Sequence, residues 1–142
     1  RDSKARPVHH IENAHGGCAV NFVEWNVEGD INQIVTSAFD DSINLWDVRR
    51  VDGGKLHRFN AHKHPRVQKH KMLYCPAFTF NGRAIVTAGE GTSALTIYDI
   101  ENKSKVCSGD IGFDSTTLTC LSGGRVAAAN KREISIFLPI VC

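Results

Sequence analysis

The sequence of 142 residues has no long apolar run and no strong excess of either charge. A run of about 18 apolar residues would predict a membrane span, and a basic start followed by an apolar core would predict a signal peptide. Neither pattern occurs. The formal net charge of +2 is too small to indicate a polyanionic partner by itself. These absences favour a nuclear or cytoplasmic protein that does not act at a membrane.

A regular set of cysteines is also lacking. The five cysteines are odd in number, widely spaced and free of any Cys-x-x-Cys pair: Cys18, Cys75, Cys107, Cys120 and Cys142. An even set with regular spacing would predict a secreted disulfide framework, and close pairs would predict a metal site. The observed pattern instead favours reduced thiols, as expected in the cytosol or nucleus.

The most informative stretch of the chain runs from Ile34 to Arg49. Two β-rich runs, Ile34–Ala38 and Ile43–Trp46, are joined by a short polar turn, as in a β-hairpin. Apolar residues alternate in Val20–Trp25, which predicts an inner strand, and Lys55–Phe59 follows the hairpin as an outer strand. Four short antiparallel strands in about forty residues are typical of one propeller blade.

The same order of runs occurs again further along the chain. The run Ile85–Ala88 repeats Ile34–Ser37 at an offset of 51, and Leu95–Ile100 matches the second run of the hairpin. A third and weaker copy extends over Leu118–Phe137. Self-similarity at a fixed period predicts an array of structural repeats.

We therefore predict an all-β protein with about three four-stranded antiparallel blades of a propeller. Closed propellers have four to eight blades, so these blades should form part of a larger ring. The predicted division is 1–13 as a leader or the end of a preceding outer strand, with 9–11 as its strand, 14–59 as the first blade, 60–72 as a basic His-rich insertion, 73–110 as the second blade and 111–142 as a third, degenerate blade.

The hairpin resembles the WD-repeat family. Its second run closes with Trp46-Asp47, the dipeptide that names these repeats. The resemblance implies a WD-repeat β-propeller in which a relay of side chains links a His, a Ser or Thr, an Asp and the Trp. The matching residues are His15, Thr36 or Ser37, Asp40 and Trp46. A buried indole N–H and a turn carboxylate both need partners, so we assign these residues a structural role rather than catalysis.

The end of the hairpin also matches a tetrapeptide, Trp-Asp-x-Arg, of WD-repeat substrate receptors in cullin-4 ubiquitin ligases. The resemblance implies that Arg49 contacts the ligase adaptor, the large subunit of the damaged-DNA-binding complex. Asp47 and Arg50 would be neighbouring adaptor-binding residues. An arginine just past a strand end lies at the rim of a blade, where its planar fork can reach carboxylates or carbonyls of a partner.

A wider stretch, from about Val20 to Asp99, resembles WD-repeat proteins of the Cockayne syndrome group A type. It contains the runs VNFVEWN, IVTSAFDDSINLWDVRR and AFTFNGRAIVTAGEGTSALTIYD. The resemblance implies a receptor that holds a substrate protein in transcription-coupled nucleotide excision repair, with no enzymatic activity and no cofactor. Tyr98 stands in the place of the second Trp and departs from the pattern. The alternative is an assembly scaffold unrelated to ubiquitin, in RNA processing, trafficking or the cytoskeleton.

The insertion 60–72 lies in the most basic part of the chain. A candidate basic patch consists of Arg58, Lys63, Arg66, Lys69 and Lys71. A propeller that binds nucleic acid through this patch is a third possibility, but no aromatic residues alternate with the basic ones to stack on bases, so direct contact is not favoured. Zinc-type ligands also occur nearby: His57, His62, His64, His70 and Cys75. Their spacing matches no usual zinc site, and we predict an exposed loop without a metal.

Overall fold

The computed structural model describes residues 5–60 and 74–138. Within these residues, eleven strands form three antiparallel sheets, each with its strands in chain order. The first sheet contains β1 (Val20–Trp25), β2 (Gln33–Ala38), β3 (Ile43–Asp47) and β4 (His57–Phe59). The second contains β5 (Tyr74–Thr79), β6 (Ala84–Gly89), β7 (Ala94–Asp99) and β8 (Ser104–Asp110). The third contains β9 (Thr117–Leu121), β10 (Arg125–Ala129) and β11 (Ile134–Phe137).

The strands form where β-branched and apolar residues are concentrated. In the β2–β3 hairpin Val35 lies opposite Leu45 and Ile34 opposite Trp46, so large side chains pair across the ladder. Asp41, in the connecting turn, has a φ of 57°, a conformation that Asp tolerates better than most residues. Strand β1 has the bounds that alternation of apolar residues predicts, Val20–Trp25.

Three local expectations differ from the structure. The segment after β3 contains a 3-10 helix, Val48–Gly53, which the hairpin pattern does not predict. The outer strand β4 has three residues, His57–Phe59, and not five. The strand considered at residues 9–11 is not formed in the structure, where these residues lie in an irregular segment.

Two apolar cores hold the sheets together. The first lies between the first and second sheets and contains Val35, Leu45, Phe59, Ile85 and Tyr98, all at most 5% exposed. The second lies between the second and third sheets, with buried members that include the following: Ala77, Val86, Leu95, Leu118 and Val126. Each sheet is thus fixed to the next by apolar side chains from its central and edge strands.

Hydrogen bonds of one buried side chain join the first two sheets at one end. Asn26, which is fully buried, donates from Nδ2 to the carbonyl oxygen of Gly82 at 2.9 Å. Its Oδ1 accepts from the backbone N–H of Gly29 at 3.0 Å. A Cβ on Gly82, whose φ is 74°, would clash with the Asn26 side chain, so the close approach of the two loops requires glycine there.

The inner strands β1, β5 and β9 are neighbours in the order first, second and third sheet. Sheets arranged side by side in this way are propeller blades, and three are fewer than the four to eight of a closed ring. The first two blades have four strands, and the third has three within the described residues. The part of the chain that the structure describes contains no helix long and apolar enough to cross a membrane.

Candidate functional site

A chain of hydrogen bonds crosses the first blade from its central hairpin to its outer strand. The indole Nε1 of Trp46 donates to Thr36 Oγ1 at 2.9 Å, and Thr36 Oγ1 lies 2.8 Å from His15 Nε2. On its other side, His15 Nδ1 lies 3.1 Å from Asp40 Oδ1. Strands β2 and β3 carry the threonine and the tryptophan, and the loop before β1 carries the histidine. The structure therefore brings together His15, Thr36, Asp40 and Trp46.

The geometry assigns the proton positions in this relay. Because Thr36 Oγ1 accepts the indole N–H, its own hydroxyl hydrogen is available to donate to His15 Nε2. His15 then carries its proton on Nδ1 and donates it to the Asp40 carboxylate, which accepts but cannot donate when ionised. Burial lowers the pKa of His15, and the nearby Asp40 opposes this shift. The imidazole is thus neutral in the relay at neutral pH.

Asp40 is the end point on which further donors converge. Ser42 donates to its Oδ1 from Oγ at 2.8 Å, and Arg58 Nη2 lies 3.2 Å from its Oδ2. Burial acts to raise the pKa of Asp40, but the hydrogen bonds that Ser42 and His15 donate to the carboxylate hold it below its usual value. Although serine, histidine and aspartate lie together, Ser42 is only 1% exposed and its hydroxyl is bound to the carboxylate. This cluster therefore presents no nucleophile to a substrate.

Ser37, the alternative to Thr36, lies outside the relay. Its Oγ donates to the Tyr74 carbonyl oxygen at 2.6 Å and lies 2.7 Å from Asn21 Oδ1. Successive side chains of a strand point to opposite faces, so only one of two adjacent residues can face His15. Ser37 instead links the first blade to β5 of the second.

Arg49 forms a bidentate ion pair within its own turn. Its Nε lies 3.0 Å from Asp47 Oδ1, and its Nη2 lies 2.7 Å from Asp47 Oδ2. Asp47 Oδ1 also accepts from the Arg49 backbone N–H at 2.9 Å, which caps the 3-10 helix. The Arg49 side chain is nevertheless 58% exposed. The pair with Asp47 thus fixes the guanidinium at the rim of the blade.

A second carboxylate lies next to the Asp47–Arg49 pair. Asp30 Oδ2, from the β1–β2 loop, lies 3.5 Å from Arg49 Nη2. The side-chain and backbone hydrogen bonds of Arg49 lower the pKa of Asp47 to about 2, so this carboxylate is ionised at neutral pH. Asp47 itself is 6% exposed, whereas Arg50 is exposed. A partner that approaches this rim would meet Arg49 and Arg50 and not Asp47.

The second blade contains a carboxylate that the sequence pattern did not predict. Thr92 occupies the turn position of Asp40, but Asp114, from the loop before β9, accepts from the backbone N–H groups of Gly91 and Ser93 at 2.8 and 3.1 Å. It also accepts from Ser93 Oγ at 2.9 Å. The third blade thus supplies the carboxylate for the turn of the second. In the sequence, this carboxylate lies about twenty residues after the turn that it binds. An alignment of one blade with another does not reveal it, because it belongs to the next blade.

The zinc-type ligands in and near the insertion do not meet in the described residues. No group of three or more His, Cys, Asp or Glu residues lies close enough to hold a metal in residues 5–60 and 74–138. His57 packs edge-on against Phe59 with ring centroids 4.5 Å apart, and Cys75 is buried with its Sγ donating to the Thr116 carbonyl oxygen. The other three ligands of this set lie outside the described residues: His62, His64 and His70.

The cysteines differ from the expectation in one case. Cys18, Cys75 and Cys120 are free thiols, but Cys107 is disulfide-bonded. The expectation of reduced thiols throughout is therefore wrong for Cys107. Burial raises the pKa of the Cys75 thiol and brings that of Cys120 to about 12, so both are protonated at neutral pH.

The candidate basic patch is only partly described. Arg58 is paired with Asp40, as stated above, and belongs to the outer end of the relay. Its companions Lys63, Arg66, Lys69 and Lys71 lie outside the described residues.

Solved structures similar to this chain are β-propellers. The WD40 repeats of RRP9 and the structure of U3-55K are each matched with a TM-score of 0.67 and 18% identity, over 85% of this chain and 36% of theirs. The Cps50 (Swd1) β-propeller domain of Myceliophteria thermophila is matched with a TM-score of 0.58 and 14% identity, over 78% of this chain and 32% of that one. No protein-family model and no curated protein matches the chain.

These comparisons establish the fold of the chain. The predicted fold class, an incomplete WD-repeat β-propeller of about three blades, is confirmed. The chain spans roughly a third of the length of the structures it matches.

Proposed function

We propose that the chain is part of a non-enzymatic WD-repeat scaffold that serves as a substrate receptor of a cullin-4 ubiquitin ligase. One rim of the first blade would bind the ligase adaptor, the large subunit of the damaged-DNA-binding complex, and another surface would hold the substrate protein. The resemblance to the Cockayne syndrome group A protein points to transcription-coupled nucleotide excision repair and to a nuclear or cytoplasmic location.

The observation that supports the proposal is the fixed guanidinium of Arg49. An exposed arginine normally loses side-chain entropy when it binds a partner. Here the two hydrogen bonds to Asp47 already hold the side chain at the rim, while 58% of it stays exposed. The remaining N–H groups of the guanidinium can then donate to carboxylates or carbonyls of the adaptor. Asp47 would act as a positioning residue, and Arg50 would extend the positive rim.

The test is recovery of the purified adaptor on the immobilised chain. Arg49→Ala and Arg49→Glu should reduce recovery strongly, and Arg49→Lys should reduce it as well, because lysine cannot form the bidentate pair. Asp47→Asn should have an intermediate effect, since the guanidinium loses its ionic partner but remains present. Arg132→Ala, at an exposed arginine of the third blade, is the matched control. Equal recovery with all variants, or no recovery with the unaltered chain, would refute the receptor function.

The same ion pair also favours the alternative, an assembly scaffold unrelated to ubiquitin. The pair gives the Arg49 side chain a structural role in its own turn, because it holds the Asp47 carboxylate that caps the helix connecting β3 to β4. Both functions predict that Arg49→Ala lowers the stability of the chain, but on this alternative the unaltered chain also gives only background recovery of the adaptor. Adaptor recovery therefore separates the two functions, and thermal unfolding measured alongside shows whether a loss of recovery in the variant reflects unfolding.

A further inference from the structure

A cavity of about 620 Å³ opens at the end of the blades where Arg49 lies. Three connections line it: the β1–β2 loop at Gly29 and Asp30, the β5–β6 turn at residues 80–83 and the β7–β8 turn at residues 99–101. Asp30 both lines the cavity and lies 3.5 Å from Arg49, so the cavity is next to the rim described above. Neither the relay nor the Asp47–Arg49 pair is part of its lining.

The inner surface of the cavity is apolar. Ala84 and Ile97 are buried at 7% and 4% exposure, Phe80 and Ile100 are half-buried, and Val106 on β8 is 52% exposed. A concave apolar surface of this volume is in the usual range for a binding pocket. An apolar side chain placed against these residues would be removed from water, which is the main favourable contribution to such contacts.

The rim of the cavity is acidic. Its charged lining residues are Asp30, Asp99 and Glu101, against Arg83 alone. Hydrogen bonds from Asn32 lower the pKa of Asp30, which keeps it ionised. Such a rim attracts positive charge and repels the phosphates of nucleic acid. The walls are held in place by Asn26, which joins the β1–β2 loop to Gly82.

We propose that this cavity binds a protein segment in which an apolar side chain is flanked by lysine or arginine. The apolar side chain lies against Val106 and Ile97, and the flanking basic residues contact the rim carboxylates. The contact requires no adaptor, and its basic residues meet Asp99 and Glu101, because Asp30 is already paired with Arg49. It is therefore independent of the ligase function proposed above.

The test uses a short fluorescein-labelled peptide with one phenylalanine between two lysines, titrated with the full chain and followed by fluorescence polarisation. One control peptide has alanine in place of phenylalanine, and another has glutamates in place of the lysines. We expect the original peptide to bind at least several-fold more tightly than either control. No measurable binding, or equal binding of the three peptides, would overturn the proposal.

Two variants with matched controls locate the contact. Val106→Ala should weaken binding about threefold or more, because it removes apolar surface from the cavity. Val23→Ala, at a strand residue that is 59% exposed on another blade, should not. Glu101→Lys should weaken binding about two- to fivefold, and Glu12→Lys should not. Equal losses at Val106 and Val23, or competition by a single-stranded oligonucleotide, would show a different or nonspecific contact and refute the proposal.

Discussion

Thr36 is the side chain that connects the two halves of the buried relay. It accepts the indole proton of Trp46 and donates its own to His15, so one hydroxyl satisfies two groups that are 3% and 4% exposed. A buried polar group without a partner costs about 1–3 kcal/mol. The relay therefore contributes to stability chiefly because it leaves few unsatisfied groups behind.

This predicts a large effect from a small change. Thr36→Val keeps the shape of the side chain but leaves the Trp46 N–H unpaired and His15 Nε2 with only the long contact to Asn44 Nδ2 at 3.4 Å, so the free energy of unfolding should fall by about 1–3 kcal/mol. Urea denaturation followed by circular dichroism measures the loss. Thr119→Val, at an exposed threonine of β9, should change stability by less than about 0.5 kcal/mol. Similar small changes in both variants would contradict the contribution of the relay to stability.

The side chains also show the limits of sequence patterns. The residues His15, Thr36, Asp40 and Trp46 were predicted to act together because the repeat pattern fixes their relative places along the chain. The pairing of Arg49 with Asp47 was not predicted, because a motif names residue types and says nothing of the rotamers that bring them together. Asp114 was missed for another reason, since its partners belong to the preceding blade.

The periodicity of the sequence predicted the strands better than it predicted the connections between them. The central hairpins follow from alternation and β-branched residues, and both four-stranded sheets contain them. The short β4 and the 3-10 helix before it were not predicted, because their bounds depend on caps such as the Asp47 carboxylate. The cavity was not predicted either. It forms where three connections come together, and the sequence pattern of a single strand does not reveal that contact.

Strand β1 carries a half-buried acid that should make the stability of the chain depend on pH. Glu24 on β1 is half-buried, and burial raises its pKa from 4.5 to about 6, opposed by a backbone hydrogen bond at Phe78. Because the folded state binds this proton more tightly than the unfolded state, the contribution of Glu24 to stability is full below about pH 4.5 and is lost as the pH rises through about 6. The buried, neutral His15 acts in the opposite direction, since acid protonates it.

The variant Glu24→Gln isolates the pH-dependent contribution of Glu24 to stability. Glu24→Gln retains an oxygen that can accept the hydrogen bond and removes the charge. Its free energy of unfolding should exceed that of the unaltered chain by about 1–2 kcal/mol at pH 7.5, with a smaller difference at pH 4.5. Urea denaturation across this pH range measures both. A difference that does not grow with pH would show that the carboxylate is not strained by burial.

The three blades together leave apolar surface on the outer faces of the first and third sheets. On β1, Val23 and Trp25 are 59% and 51% exposed, and on β11, Ile134 and Ile136 are each 75% exposed. Residues two apart on a strand share a face, so each pair forms a stripe along its sheet. In a ring of blades such faces pack against the next blade, and exposed apolar stripes otherwise promote association.

The chain by itself should therefore associate through these faces. Sedimentation velocity at increasing concentration should show dimers or larger species, and Trp25→Lys combined with Ile136→Lys should shift the chain toward monomer. Val8→Lys, at an 89% exposed valine in the irregular segment before β1, adds the same charge away from the sheets and should leave association unchanged. A concentration-independent monomer with a sharp cooperative thermal transition would contradict this expectation. It would mean that the two apolar cores between the three sheets suffice, and that the outer faces need no neighbour.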